Sequence, residues 1–245
     1  MKLRHITLIT RISRISRMMP TGIRSRFSDN RGVATSLIEA VLVIGIVTII
    51  ASVATGAALE RIEDARFVQA TSDTELIGMS VHSFMQDTGS SPAFKSGLAT
   101  SPTDEIYRIL HTDGSDAIDL TGSWPTDSDE KDSIENHLVR NQPGVTEPSY
   151  LRRGEISYDR HKGWNGPYLN RIPSVDPWDG RYLVNVQFLT PQGVERVRED
   201  LELPSGGRIA VVVLSAGPDR IIETRFDQIS ESFAPGGDDV VFRIQ

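Results

Sequence analysis

Two groups of carboxylates stand out because their surroundings predict chemistry for them. The first lies near the C-terminus, where Asp219 and the pair Asp238 and Asp239 bracket a segment between two predicted strands. Calcium binds about six to eight oxygen atoms from carboxylates and backbone carbonyls on loops. These three aspartates, with the carbonyls of Ala216 and Ile221, therefore make a candidate metal site. The alternative is that they are ordinary solvated charges on a surface loop.

The second is a single carboxylate, Glu39, at the start of an apolar run. Residues 40–59 carry no ionisable side chain, and such a run spans about 30 Å as a helix, the thickness of a bilayer's hydrocarbon core. A charge inside a span costs roughly 2.5–3.5 kcal/mol and is usually functional or paired. If the chain is cut between Ala34 and Thr35, the N-terminal ammonium of a neighbouring copy would neutralise Glu39 and set the axial stagger between subunits. Alternatively, Glu39 only meets the positive end of the helix dipole.

Sequence patterns typical of enzymes are missing. The five histidines are scattered, and there is no zinc-binding pair, nucleophile elbow, phosphate-binding loop or dinucleotide fingerprint. We therefore expect that the protein is not an enzyme, although a hydrolase with paired carboxylates would leave no trace in the sequence. The net charge is −7 for the whole chain and about −14 without the first 34 residues. This acidity argues against a nucleic-acid partner.

The charges before the apolar run predict its orientation. Eight Lys and Arg residues against one Asp precede residue 35, and cationic segments stay on the cytoplasmic side. The sequence thus predicts a single-pass protein whose chain after Leu59 lies outside the cytoplasm. An ordinary secretory signal, cut after the small residues 54–56, is the rival interpretation. The run is long for an apolar signal core of about 7–15 residues, and Glu39 is unusual inside one.

Residues 32–43, with the sequence Gly-Val-Ala-Thr-Ser-Leu-Ile-Glu-Ala-Val-Leu-Val, resemble the class III signal of type IV pilins and type II secretion pseudopilins. The resemblance implies that a prepilin peptidase cuts after a small residue on the cytoplasmic side and methylates the new N-terminus. A cut after Ala34 makes Thr35 the first residue and Glu39 the fifth, the family's usual place for a glutamate. A cut after Gly32 would make Glu39 the seventh. The implied organisation is a removed leader (1–34), a transmembrane helix half (35–59) and a periplasmic head (60–245).

A second stretch resembles the major pseudopilin of type II secretion systems. It reads Gly-Trp-Asn-Gly-Pro-Tyr-Leu at residues 163–169 and Asp-Pro-Trp-Asp-Gly-Arg-Tyr at residues 176–182. By composition, its aromatic residues predict a hydrophobic clasp over a sheet edge, with a sugar-binding platform as the alternative. Similar C-terminal loops bind calcium in the family, which implies that role for the acidic loop described above. Many adhesive pilins close that loop with a disulfide, whereas this chain has no cysteine, which favours the pseudopilins.

Residue periodicity predicts an α+β fold. A long N-terminal helix, its first half transmembrane, is expected to pack on a small C-terminal antiparallel sheet with large loop insertions. The helix is predicted from Thr35 to Asp87, because glycine and proline follow. Beyond the span, apolar residues at spacings near three and four predict its buried face. They are Ile62, Ala65, Val68, Leu76, Met79 and Phe84.

The rest of the chain divides into an irregular region and a strand region. Residues 89–180 are rich in Gly, Pro, Ser, Asp and Thr, which predicts loops with two short helices, near 101–110 and 127–138. Strands are expected at 182–189, 208–214 and 239–244, with turns and no helix between them. Such an order predicts antiparallel pairing.

Together, the residues and the resemblance predict a structural pilin-like subunit that assembles into a periplasmic pseudopilus driving type II protein secretion. The expected partners are copies of itself, other pseudopilins, inner-membrane secretion components and the prepilin peptidase. The expected location is the inner membrane, with the C-terminal domain in the periplasm. A subunit of a surface type IV-like pilus with an adhesive role and a membrane-tethered binding domain are the alternatives.

Overall fold

One long helix opens the described part of the chain. The structure is a computed structural model that describes residues 30–99, 101, 103–144, 148–156, 159–171, 173–198, 200–203 and 206–245, with side chains from Ser36 onward. Most of the predicted leader, residues 1–29, lies outside this part. Helix α1 is Asn30–Thr88, which confirms the predicted long helix. It ends where Gly89, at φ 68°, donates its N–H to the Met85 carbonyl at 2.9 Å, as a left-handed residue after a helix does.

The other elements are short. The strands are β1 Ile109–His111, β2 Ile118–Asp119, β3 Lys131–Ser133, β4 Leu183–Val184, β5 Val212–Ser215, β6 Ile221–Ile222 and β7 Val240–Arg243. The helices are α2 Ile134–Leu138 and α3 Pro191–Arg198, with single turns of 3-10 helix at Ser128–Glu130, Val186–Leu189 and Ser230–Ser232. The chain divides into two compact units, Met1–Thr55 and Gly56–Gln245.

Within the first unit, the described residues are helical and their side chains are exposed from Ser36 to Thr55. In the part of the chain that the structure describes, the helix at Ser36–Thr88 is the one that is long and apolar enough to cross a membrane. Its few hydroxyl side chains donate back to the helix, for example from Thr48 Oγ1 to the Ile44 carbonyl at 2.7 Å. A polar group satisfied in this way costs little in an apolar solvent.

In the second unit, α1 buries a different face from the predicted one. Ile62, Val68, Leu76 and Met79 are exposed, so the predicted stripe is wrong except at Phe84. The fully buried positions are Ala70, Thr74, Ile77, Val81 and Phe84. Gly78 lies on this face with the ring of Phe242 directly against it, where a side-chain carbon would overlap the ring. Close packing on the sheet selects small residues here, and these carry no hydrophobic signal in the sequence.

The main sheet is mixed, with strand order β3-β1-β4-β5-β7. β4 pairs antiparallel with β1 and with β5, and β5 pairs antiparallel with β7. β1 and β3 are parallel, with Ile109 opposite Lys131, and a separate pair joins β2 to β6 in parallel. The prediction of a purely antiparallel sheet is therefore wrong. The sheet contains the C-terminal strands and also β1 and β3, which come from the region predicted to be irregular.

Alternating side chains of the sheet build two cores. Leu110, Val184 and Val213 pack with Ile77, Val81 and Phe84 of α1. Their neighbours Ile109, Leu183 and Leu214 point to the other face, where they pack with residues that include Trp124, Phe188 and Phe226. This alternation is the two-residue period of a strand. The second unit is thus an α+β fold with the helix on one face of a small mixed sheet.

Several short elements differ from the sequence predictions. The helix predicted near 101–110 is wrong, because Ile109–His111 is strand β1. The helix near 127–138 shortens to α2, whose N-cap Ser133 accepts from the Glu135 N–H at 3.2 Å. The strand predicted at 182–189 ends at Val184 and continues as 3-10 helix. The turn predicted after it is helix α3, which opens on a proline, a residue well suited to the first helical position. Strands β5 and β7 lie within or overlap the predicted ranges.

Candidate functional site

Three carboxylates meet in the loops between β5 and β7. One oxygen from each of Asp219, Glu223 and Asp238 lies within 4.8 Å of the others. Asp219 belongs to the β5–β6 loop, Glu223 directly follows β6, and Asp238 lies two residues before the start of β7. Two oxygens bound to one Ca²⁺ can be up to about 5 Å apart, since each is 2.3–2.6 Å from the ion. The spacing of the cluster is therefore compatible with a shared divalent cation.

Local backbone contacts hold this cluster together. Asp219 Oδ1 accepts from the Ile221 N–H at 2.8 Å, which fixes the carboxylate at the start of β6. Gly217 has a φ of 66°, and a Cβ added to it would lie only 2.6 Å from the Asp238 carbonyl oxygen. The β5–β6 loop and the β6–β7 loop therefore approach each other only because this residue has no side chain.

Asp239 is buried and interacts differently from the other three. Its Oδ2 accepts from the backbone N–H groups of Glu223 at 3.0 Å and Thr224 at 2.6 Å. It is 9% exposed and lies outside the three-carboxylate cluster. The structure thus brings together Asp219 and Asp238, two of the three aspartates that the sequence predicts as ligands, and adds Glu223, which the sequence analysis does not identify.

The electrostatics of these loops favour a cation. Burial raises the pKa of Asp238, and the negative charge of Asp219 adds to the rise. Burial also raises the pKa of Asp239, although its hydrogen bonds to Thr224 and Glu223 act in the opposite direction. Among the described residues, no Lys or Arg lies within ion-pair distance of Asp219, Glu223, Asp238 or Asp239.

Buried polar side-chain atoms without a hydrogen-bond partner also lie in these loops. Among the described residues, three buried side-chain atoms lack a hydrogen-bond partner: Arg220 Nε, Asp238 Oδ1 and Asp239 Oδ1. A buried carboxylate oxygen without a donor costs about 1–3 kcal/mol or more. Oxygen-rich loops with two such atoms fit a hard cation, so the residues present are compatible with calcium.

The two residues whose carbonyls are predicted as ligands lie at the two ends of the β5–β6 loop. Ala216 is buried directly after β5, and Ile221 opens β6 with its N–H on Asp219. The role of their carbonyls as ligands stays a prediction.

The processing and assembly residues lie on the first turns of α1. Gly32, Ala34 and Thr35 are within the helix, and the structure describes no side chain for them. Glu39 is exposed on the helix. Among the described residues, no Lys or Arg forms an ion pair with Glu39.

The aromatic stretch packs against helix α1. The Trp178 ring meets Phe67 edge-on with centroids 5.0 Å apart, and its Nε1 donates to Glu63 Oε2 at 3.2 Å. The Tyr182 hydroxyl donates to Asp73 Oδ2 at 3.1 Å. These rings are buried, so they offer no open face on which a sugar ring would stack. Trp178 and Tyr182 are therefore structural, and they pack on the helix as well as on the sheet.

An Asp carboxylate connects this clasp to the acidic loops. Asp176 Oδ1 accepts from the N–H groups of Trp178 at 2.9 Å and Gly180 at 2.7 Å. Its Oδ2 accepts from Ser215 Oγ at 2.6 Å, at the last residue of β5. The carboxylate is buried but fully engaged, and it places the start of the β5–β6 loop against the turn that follows Asp176.

A second polar cluster lies in the region that the sequence predicts to be irregular. His137 is fully buried, with Nδ1 2.6 Å from the Tyr150 hydroxyl and Nε2 2.9 Å from Asp132 Oδ2. Asp132 also accepts from the Gly144 N–H at 2.8 Å. Both ring nitrogens are occupied, so neither is available to a bound molecule. This network could not be predicted from the sequence, because its members are ordinary polar residues with no motif.

Comparison with protein-family models, with curated proteins and with solved structures finds no match to this chain.

Proposed function

We propose that this chain is a structural pilin-like subunit that assembles with copies of itself into a periplasmic pseudopilus of a type II secretion system. The observation that carries the proposal is helix α1. It is continuous over 59 residues, its apolar residues before Gly56 are exposed, and its later residues form part of the core of the second unit. An exposed apolar helix requires either lipid or other helices around it.

Glu39 supports assembly rather than simple anchoring. A carboxylate within the apolar part of a helix is costly unless a cation meets it. The mature N-terminus, at Thr35 after a cut behind Ala34, provides an ammonium four residues away along the sequence. In the proposed filament the ammonium of one copy pairs with Glu39 of the next, so that the pair fixes the stagger between subunits.

Mass spectrometry of the mature protein from its own cells tests the processing step. We expect an N-terminus at Thr35 bearing one methyl group, with the whole apolar segment retained. An N-terminus at Val33 would place the cut after Gly32 and keep the proposal. A terminus near Ala57, with the apolar segment removed, would identify an ordinary secretory signal and overturn it.

Neutralising the charge tests assembly. Glu39→Gln should leave the protein inserted and folded but should abolish filaments and secretion, because the ammonium of the next copy loses its partner. Glu60→Gln, just past the apolar segment, is the matched control and should assemble normally. Normal filaments from Glu39→Gln would reduce Glu39 to a helix-end charge. Filaments on the outer cell surface would instead favour the adhesive pilus.

The acidic loops add a cation site to this proposal, with Asp219 and Asp238 on a calcium ion that takes the place of a disulfide. Free calcium at about 100 times its Kd would stabilise the protein by about 2.7 kcal/mol. Chelation should lower the melting temperature of wild-type protein but not of Asp219→Ala, and Mg²⁺ should substitute poorly because it requires a tighter octahedron. A wild-type melting curve that ignores both calcium and chelator would return these residues to solvated charges.

The raised pKa of Asp238 gives a pH test of the same site. In chelator, the ionised carboxylate is destabilising at neutral pH because its pKa in the folded state lies above its ordinary value of 3.8. Asp238→Asn should therefore raise the melting temperature in chelator at neutral pH. The gain should shrink as pH falls through the raised pKa and should vanish below the ordinary pKa of 3.8, where the wild-type residue is protonated in both states. An equal gain at every pH would contradict this explanation.

A further inference from the structure

Two exposed apolar patches of the second unit complement each other in shape and in charge. We infer that they form a contact between copies, in which α1 of one copy lies in a groove at the end of α1 on the next copy. This inference depends on the proposed assembly of copies. It names two surfaces that meet outside the apolar segment, and neither surface includes Glu39 or the acidic loops.

The first patch, the α1 ridge, consists of Glu75, Leu76 and Met79. Leu76 and Met79 are 45% and 56% exposed, and residues three apart lie on one face of a helix. Glu75 is exposed beside them. The helix carries no Lys or Arg between Arg66 and its last residue, Thr88. The ridge therefore combines exposed apolar side chains with a negative charge that no cation of the same helix segment offsets.

The second patch, the end groove, lies at the C-terminal end of α1. The groove has a volume of about 460 Å³, and its apolar lining includes Met85, Phe94, Leu98, Tyr150, Leu151 and Ile156. Leu98 and Leu151 are 50% and 42% exposed. The Gly97 N–H donates to the Pro148 carbonyl at 2.9 Å, which holds the segments of these two leucines side by side. The end groove is thus a preformed apolar depression with an apolar rim.

Cations border the end groove, although the chain is acidic overall. Residues 151–163 include four Lys and Arg against two acids. The two acids bind backbone: Glu155 Oε2 accepts from the Arg152 N–H at 2.6 Å, and Asp159 Oδ1 accepts from the His161 N–H at 2.9 Å. Among the described residues, none of the four cations lies within ion-pair distance of a carboxylate. The four are Arg152, Arg153, Arg160 and Lys162.

This basic segment is fixed to the end of α1. Lys162 Nζ donates to the Gln86 carbonyl at 2.6 Å, and the Gly163 N–H donates to the Asp87 carbonyl at 2.7 Å. The negative end of the helix dipole accounts for the position of Lys162. Arg152 directly follows Leu151 of the groove and is exposed, so it provides a positive charge next to the apolar rim.

The ridge and the groove cannot meet within one copy. Leu76 lies ten residues before Gln86, which is about 15 Å along the helix. Grooves that bind an amphipathic helix take apolar side chains spaced three or four residues apart. In the proposed contact, Leu76 and Met79 of one copy enter the end groove of the next, and Glu75 meets Arg152. Such a head-to-tail contact joins two different surfaces, so it can repeat from copy to copy along an open filament.

Lipid headgroups fit the basic segment less well than a second copy does. Gln86 lies 30 residues past Gly56, where the exposed apolar part of α1 ends, which is about 45 Å of helix. This length is several times the Debye length of about 8 Å at physiological salt. Headgroups also have no apolar ridge to place in the groove.

Disulfide cross-linking of the full chain tests the contact, because the chain has no cysteine of its own. Met79→Cys and Leu98→Cys are introduced into two differently tagged copies, which are expressed together in the native cells and oxidised with copper phenanthroline in the membrane fraction. We expect a dimer that carries both tags. Replacing Met79→Cys by Glu231→Cys, at an exposed position far along the chain, is the control and should give no mixed dimer.

Charge exchange tests the pairing of Glu75 with Arg152. Glu75→Arg and Arg152→Glu should each reduce the yield of mixed dimer about fivefold, and the two changes together should restore it. Glu231→Arg and Arg208→Glu make the same charge changes at other exposed positions and should leave the yield unchanged. Leu76→Ser should reduce the yield about tenfold or more, because a leucine no longer enters the groove. Melting temperatures equal to that of wild type would show that the losses are not losses of folding.

Different results refute different statements. Wild-type protein that forms filaments while the cysteine pair gives no mixed dimer would overturn this contact and leave the proposed assembly in place. A double charge exchange that stays as weak as the single changes would also overturn it. Wild-type protein that forms neither filaments nor cross-linked oligomers would refute both the proposed assembly and this inference.

Discussion

The two parts of helix α1 follow different rules although the backbone between them is continuous. Before Gly56 the side chains are apolar and exposed, and the hydroxyl groups are satisfied by the helix's own carbonyls. In the second unit the buried face includes Thr74, Gly78 and Ser80, while Leu76 and Met79 are exposed. Hydrophobicity therefore identifies the segment suited to lipid. Close packing against a sheet instead selects small residues and polar residues whose hydrogen bonds are satisfied.

Removing a ring from the buried face should have the largest effect. Phe84 is fully buried and meets the rings of Tyr150 and Tyr168 edge-on. Phe84→Ala should lower the free energy of unfolding of the second unit by about 3–5 kcal/mol. Ile50→Ala, in the exposed apolar part, should leave it unchanged. Urea denaturation in micelles, followed by tryptophan fluorescence, measures both, and equal losses would abolish the distinction between the two parts.

Adding a methyl group tests the same contrast in the other direction. Gly78→Ala places a carbon into the Phe242 ring, and the resulting strain should cost about 1–3 kcal/mol. Gly56→Ala meets nothing within 4 Å and should stabilise the helix by up to about 1 kcal/mol. Thermal melts of the two variants should shift in opposite directions. A stabilised Gly78→Ala would mean that α1 packs less closely on β7 than the structure places it.

The clasp should contribute a smaller amount. Tyr182→Phe keeps the buried ring but removes the hydroxyl that donates to Asp73, at a cost of about 1 kcal/mol. A double-mutant cycle with Asp73→Asn isolates the coupling of the pair from the effects of each change alone. Additive losses would show that the hydroxyl and the carboxylate do not interact.

Exposed apolar residues of the second half should matter least to folding. Leu76→Ser and Met79→Ser should each change the free energy of unfolding of the monomer by no more than about 0.5 kcal/mol, as for other surface positions. The stripe predicted from sequence would require losses of several kcal/mol at both residues, so the same denaturation curves separate the two descriptions of the helix.

The parts of the fold that were predicted from sequence are those with a continuous signal. Helix α1 lacks proline and ends at a glycine with positive φ, so its existence and its end could be predicted. Its buried face could not, because Ala70 and Gly78 carry no hydrophobic signal. Strands β1 and β3 have three residues each and pair with partners far along the chain. Such short strands are specified by tertiary packing rather than by local pattern.

The site was predicted in part for a similar reason. Asp219 and Asp238 stand beside turn-forming glycines, which indicate a place where backbones meet. Glu223 is a lone acid after a two-residue strand, and its approach to Asp238 depends on a parallel pairing that no local pattern reveals. The one available signal was the Gly236-Gly237 pair, whose lack of side chains indicates that something large lies against it.

The Asp176 carboxylate has a consequence for how the second unit opens. Three donors, from Trp178, Gly180 and Ser215, converge on one buried side chain. Breaking any one of them leaves a charge buried with fewer partners, so the least costly opening releases all three at once. Hydrogen exchange at the Trp178 and Gly180 amides should therefore proceed at a common opening free energy, as one cooperative unit that includes the end of strand β5.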